Sequence, residues 1–144
     1  MTDRRYLDDP GARRRRNIRI ALVIVVSLTL FVAVLLFAVT TLTRPVVDAG
    51  DSFMSALKTG DFPRAYALTA PELQRELGSA QQLGAGAEPE RPAEWGWSSR
   101  SIRNGTGRVS GAYTRLDGRP RRAELVMRKV DGEWRITAFR FGPE

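Results

Sequence analysis

The sequence predicts an α+β fold: an N-terminal transmembrane helix, then a small domain of about three helices packed on a four-stranded antiparallel sheet. Three observations carry this prediction. Residues 20–42 hold no charged side chain, and residues 45–77 repeat apolar positions at three- and four-residue spacing. Residues 95–141 alternate strand-forming runs with Asn-Gly and Asp-Gly pairs.

Of the twenty residues from Ile20 to Val39, fifteen are Leu, Ile, Val or Phe. The 24 uncharged positions between Arg19 and Arg44 reach about 36 Å as a helix, enough to cross a hydrocarbon core of about 30 Å. Each large apolar residue favours insertion by about 0.3–0.6 kcal/mol, several kcal/mol over the run. Ser27 and Thr29 can return their hydroxyls to the helix backbone. A chain of 144 residues is too small to wrap an all-round apolar rod in its own interior, so residues 20–43 are expected to span a membrane.

Residues 1–19 hold seven Arg against three Asp and lack an apolar period, which predicts a disordered basic tail. Arg13, Arg14, Arg15, Arg16 and Arg19 would lie at the membrane surface, where anionic headgroups attract each cation by about 1 kcal/mol. On the far side only Arg44 and then Lys58 are basic, so the N-terminus is expected in the cytoplasm of the cell and residues 44–144 outside. A cleaved signal peptide is the competing reading. The apolar run is longer than a signal's core, and Ala38-Val39-Thr40 is a poor cleavage site.

The net charge of +7 would point to nucleic acid in a soluble protein. Over half of the excess lies in the tail, and membrane electrostatics accounts for it, so no nucleic-acid partner is expected. The chain has neither Cys nor His, which excludes disulfides, cysteine nucleophiles, Cys/His zinc sites and imidazole acid–base chemistry.

Pro45 biases Arg44 away from helix, so the membrane helix is expected to end or bend there and a new one to begin. Val46, Ala49, Phe53, Met54 and Leu57 form its apolar stripe, and Gly60 its stop. Asp61 can cap a second helix carrying Phe62, Ala65, Tyr66 and Leu68. Thr69-Ala70-Pro71-Glu72 fits a capping box for a third, presenting Leu73 and Leu77. Residues 78–94 read as mostly loop. Strands follow over roughly 95–103, 106–116, 120–130 and 133–141, divided at Asn104-Gly105, Asp117-Gly118 and Asp131-Gly132, pairs that tolerate positive φ. The last two strands carry apolar residues on both faces, Leu125/Met127 against Val126/Val130 and Trp134/Ile136 against Phe139/Phe141. The second face is then a concavity, a partner surface, or the result of a register-flipping bulge.

From Phe53-Met54-Ser55-Ala56-Leu57-Lys58-Thr59-Gly60-Asp61-Phe62 through Ala65-Tyr66-Ala67-Leu68 and Pro71-Glu72-Leu73, the chain resembles bacterial membrane-anchored domains of the nuclear-transport-factor-2-like (cystatin-like, SnoaL-like) superfamily. Gly105–Gly111 and Val130-Asp131-Gly132-Glu133-Trp134-Arg135-Ile136 extend the likeness, which covers essentially 45–142. The resemblance implies a curved sheet wrapped on the N-terminal helices. Catalytic members typically use His and Asp in the cone, and this chain has no His. A looser similarity is to cytochrome oxidase assembly factors.

No motif compels a catalytic site. Ser55-Ala56-Leu57-Lys58 and Lys58-Thr59-Gly60 match serine β-lactamase signatures but share one lysine, where that chemistry needs a helix and a distant strand. Asp48 and Asp51 sit near a helix start, where carboxylates favour the dipole. Asp117 and Asp131 read as turn residues. Trp95, Trp97, Tyr113, Met127, Trp134 and Phe139 are the candidates for a pocket or partner surface, weighed against ordinary core. Trp95 and Trp97 should share a strand face with Gly96 opposite. The many Arg of the sheet half are interspersed with Asp117, Glu124, Asp131 and Glu133, the pattern of a solvated face.

The expectation is a single-pass plasma-membrane protein displaying a non-catalytic extracytoplasmic binding or assembly domain, without cofactor or metal. Its partners would be the lipid bilayer and a membrane or envelope protein, and a homo-oligomer is compatible. The alternatives are a small-ligand binder, secreted if the anchor is cleaved, a carboxylate-based enzyme in the cone, and an oxidase assembly-type factor.

Overall fold

The computed structural model of the chain describes residues 10–143, apart from the side chains of residues 10–16, 39 and 40. The chain divides into two compact units, Met1–Thr41 and Leu42–Glu144, and helix α1 (Pro10–Thr59) contributes to both.

In the first unit the apolar run is helical throughout, and Leu22, Ile24, Leu30 and Leu36 are each at least 60% exposed. None of its most apolar 18-residue window is buried, and the helix is long and apolar enough to cross a membrane. Thr29 donates its hydroxyl to the Val25 carbonyl at 2.8 Å, hiding its polarity as expected. The predicted disorder of residues 1–19 is corrected in part. Pro10–Arg19 is helical, because Pro suits a first turn and Arg is a good helix former that extends a helix already nucleated by the apolar run. Residues 1–9 lie outside the described residues.

Of the end or bend expected at Arg44-Pro45, the end is corrected, since α1 carries Pro45 inside it. A proline forfeits one backbone hydrogen bond, a local loss that burial of the following stripe outweighs. In the second unit that stripe packs into the core: Val46, Phe53, Met54 and Leu57 are 0% exposed and Ala49 is partly buried. Gly50 brings α1 close to the sheet, where a Cβ would stand 3.2 Å from both the Trp97 ring and Val109 Cγ2.

Gly60 ends α1 at φ +72. The Asp61 carboxylate accepts from Arg64 N at 3.2 Å and caps α2 (Phe62–Ala67), as the sequence predicts. The capping box expected for α3 (Pro71–Leu77) does not form. Ala70 is the N-cap without a side-chain bond, Thr69 gives its hydroxyl to the Tyr66 carbonyl at 2.6 Å, and Glu72 turns outward to Arg128. The segment between α2 and α3 instead pairs with the sheet edge: Ala70 N donates to Ile136 O at 2.7 Å and Ile136 N to Leu68 O at 3.0 Å. Within the stretch read as loop lies α4 (Ala80–Ala87), capped by Ser79 through Gln82 N. Its Gly84 and Gly86 hide the helix from propensity; burial of Leu83 and Ala87 stabilises it.

The sheet is antiparallel in the order β1 (Pro92–Arg103), β2 (Thr106–Arg115), β3 (Pro120–Val130), β4 (Glu133–Gly142). Asn104 and Gly105 have φ of 51° and 74°, and Asp131 and Gly132 of 51° and 81°, so both pairs form two-residue turns with two positive φ values. The β2–β3 connection is longer, and there Gly118 alone is left-handed. On β4, Ala138 pairs with Val126 but Ile136 with Met127, leaving Thr137 as an extra residue. This bulge brings Ile136, Phe139 and Phe141 to one face, so the two-faced pattern of β4 is a register flip, while Val126 and Val130 of β3 stay on the face opposite Leu125 and Met127. Ser98 is a second bulge, between Trp97↔Gly111 and Ser99↔Ser110. The helices cover the inner face, where Val109, Leu125, Met127 and Ile136 are at most 1% exposed.

Candidate functional site

The inner face is apolar at its centre and carries two polar constellations beside it. The first joins α1 to β1. Trp95 and Trp97 lie two apart on one strand face, and both indole Nε1 atoms donate to Asp51 Oδ1, at 2.8 and 2.7 Å. Gly96 between them points to the exposed face, as the alternation predicts. One carboxylate oxygen thereby positions two half-buried rings. Asp51 is thus an anchor for tryptophans rather than only a dipole-compensating residue.

The second constellation adjoins it, because Trp95 pairs with Tyr113 and Tyr113 with Arg121. Glu90, from the short 3-10 turn Glu88–Glu90 before β1, receives the Tyr113 hydroxyl at 2.5 Å and Arg121 at 2.7 and 3.2 Å. Burial pushes the Glu90 carboxyl up, but the Arg121 and Tyr113 hydrogen bonds outweigh it and hold its pKa below the usual value. Burial, then the bond to Glu90, raises the Tyr113 phenol well above its ordinary value. At neutral pH this is therefore a carboxylate clasped by a phenol and a guanidinium, with the phenol a donor and no nucleophile.

An aromatic chain runs from there across the inner face. Tyr113 meets Phe141 edge-on with centroids 5.5 Å apart, Phe141 meets Phe139 at 5.5 Å, and Phe139 meets Phe53 of α1 at 5.5 Å.

Of the six candidates from the sequence, Trp95, Trp97 and Tyr113 come together here, and Phe139 joins them through the aromatic chain. Met127 is fully buried in the core. Trp134 stands apart at the start of β4, with Lys129 Nζ 5.7 Å from its ring centroid. Arg19 is exposed; the side chains of Arg13, Arg14, Arg15 and Arg16 lie outside the described residues. Asp117 accepts from Arg119 N at 3.1 Å and Asp131 has φ 51°, both turn roles. Lys58 is exposed, and its carbonyl accepts from Arg91 at 2.9 Å. Among the described residues, no group of three or more His, Cys, Asp or Glu could hold a metal ion.

Sequence reasoning missed Glu90, which sits in a stretch without period, and Arg121, one Arg among many. The Trp-Gly-Trp spacing was a usable signal; its acidic partner 44 residues away was not.

The profile of DUF4864, a domain of unknown function, matches residues 41–142. An NTF-2-like protein of unknown function from Silicibacter pomeroyi DSS-3 is similar at 17% identity and a TM-score of 0.52, over 72% of this chain and 98% of that one. An NTF-2-like protein of unknown function from Shewanella oneidensis MR-1 is similar at 17% identity and a TM-score of 0.51, over 69% and 97%. At these identities the likeness speaks to fold, which is NTF2-like. Curated proteins give no match.

Proposed function

Because the chain belongs to the DUF4864 family, whose domain is of unknown function, we propose a role from the molecule itself: a single-pass plasma-membrane protein displaying a non-catalytic binding or assembly domain outside the cytoplasm. It serves as an accessory or scaffold component of a membrane or envelope complex, its partners being the bilayer and a membrane or envelope protein. The observation that carries this reading is the helical run from Ile20 to Phe37, whose large apolar side chains are 46–72% exposed. Apolar surface on that scale is stable against lipid and not against water. The seven Arg before it, against Arg44 and Lys58 after it, favour an inner N-terminus.

The domain's interior supports a non-catalytic role. The carboxylates that reach it, Asp51 and Glu90, are engaged by indole, phenol and guanidinium donors. A general acid or base needs a carboxyl aimed at substrate.

Fusions after Glu144 test the topology. Alkaline phosphatase there is expected to be active and green fluorescent protein dark, with the full chain retained in membranes after carbonate washing. A fluorescent fusion, or release by carbonate, overturns the reading. Cross-linking of the full chain in intact cells tests the assembly role. Recovery of the chain alone, at every linker length, counts against it.

A further inference from the structure

The β1–β2 hairpin packs on Val46, a few positions beyond the apolar run in the chain. Val46 packs against the position of Gly107, where an added Cβ would lie 2.9 Å from Val46 Cγ1. Val46 stands four positions after Leu42, a stretch that spans at most about 14 Å. Gly107 is the second residue of β2, next to the turn at Asn104-Gly105. The polar layer of a bilayer is itself about 5–8 Å deep per leaflet. With residues 20–42 in the hydrocarbon, chain length alone keeps this hairpin near the headgroups.

Its chemistry suits that level. Arg103 and Arg108 are exposed on one face of the hairpin, and Arg100 on the other, beside Ile102, which is 39% exposed. Arg108 is paired with Glu124 at 2.9 Å. Arg100 and Arg103 make no ion pair among the described residues, as is also true of Arg122 and Arg140, whereas Arg115, Arg121, Arg128 and Arg135 are paired. An open depression of about 520 Å³ is lined by Ser101, Arg103, Asn104, Thr106 and Arg108, with guanidinium, hydroxyl and amide groups together. Guanidinium is suited to phosphate oxygens, and a lone exposed isoleucine can enter the boundary below them.

We propose that the β1–β2 hairpin docks on anionic phospholipid headgroups of the leaflet from which the domain emerges, Arg100 and Arg103 binding phosphate. The inference rests on the membrane-spanning reading of residues 20–42 but not on which side the domain occupies. Docking would hold the domain against the bilayer, restricting its partners to those beside it in the same membrane.

The absence of native cysteine makes a clean experiment available. Full-length chain bearing Ser101→Cys, or Leu116→Cys in the turn at the other end of β2, carries a polarity-sensitive fluorophore in phosphatidylcholine vesicles with or without phosphatidylglycerol. The expected result is a blue shift and protection from aqueous quencher at 101 only, and only with phosphatidylglycerol. R100Q/R103Q should abolish it, since each cation at an anionic surface favours contact about fivefold. The same signal in phosphatidylcholine alone overturns anionic recognition. A shift reproduced there by inorganic phosphate assigns the site to free anion and also overturns it. A fully aqueous 101 label on carbonate-resistant protein overturns the docking while leaving the anchor standing. Release of the protein from the vesicles overturns the anchor, and the docking with it.

Discussion

Gly111 of β2 lies so close to Gly96 of β1 that a Cβ built on it would stand 1.9 Å from the Gly96 carbonyl oxygen. Backbone meets backbone there, beside the Ser98 bulge, and no rotamer change can relieve the contact. Gly111→Ala is expected to destabilise the domain by about 1–3 kcal/mol or more, as overpacking does. Gly96→Ala, whose Cβ would meet nothing within 4 Å, should be nearly neutral. Urea unfolding of both variants of the full chain in detergent checks the contrast.

Asp51 determines how the two tryptophans sit. Asp51→Ala leaves two half-buried indole N–H groups without their shared acceptor and should cost about 1–3 kcal/mol. Asp51→Asn retains an acceptor oxygen and should cost less. Tryptophan emission should shift to the red in the alanine variant, and an unchanged spectrum would contradict the anchoring role.

The Glu72–Arg128 pair makes the stability depend on acid. The paired hydrogen bonds from Arg128, 2.7 and 2.8 Å long, hold the Glu72 carboxyl down at about 2. A carboxyl whose folded pKa lies below its unfolded value stabilises the fold above the unfolded pKa, and that stabilisation is lost as pH falls through the folded one. The melting temperature of the wild type should therefore exceed that of Glu72→Gln at pH 7. The gap should narrow between about pH 4.5, the unfolded range, and about pH 2. Glu90, also lowered, adds to the acid loss in both proteins, so only the difference reports Glu72.

Gly132 has φ +81 in the final turn. Gly132→Val puts a β-branched residue in the left-handed region and should destabilise by about 1–2 kcal/mol. Asp131→Asn keeps a residue that tolerates that region and should be close to neutral. Thermal melts of the two variants distinguish them.

Local patterns carried much of this architecture. An unbroken apolar run needs no partner to be recognised, the α1 stripe repeats at helical spacing, and Asn-Gly and Asp-Gly announce turns because few other residues accept positive φ. The position of each strand and the Asp61 cap followed from such short-range rules. What they could not supply was any property set by residues distant in the chain. The helix at Ala80–Ala87 exists through burial of Leu83 and Ala87 and against the propensity of its glycines. Thr69 and Glu72 make other bonds than the capping box, because a sheet edge and Arg128 lie within reach.

Hydrophobicity and turn chemistry are properties of neighbouring residues, and they sufficed to mark residues 20–42 as an apolar run long enough to cross a membrane and to place an α+β domain after it. It took the packed fold to turn Phe139 and Phe141 to the face of Ile136 through the bulge at Thr137, to bring Asp51 to Trp95 and Trp97, and to let Glu90 clasp Tyr113 and Arg121. Each of these is a meeting across 11 to 46 residues. Such meetings arise from packing free energy summed over the whole core, which no short stretch contains.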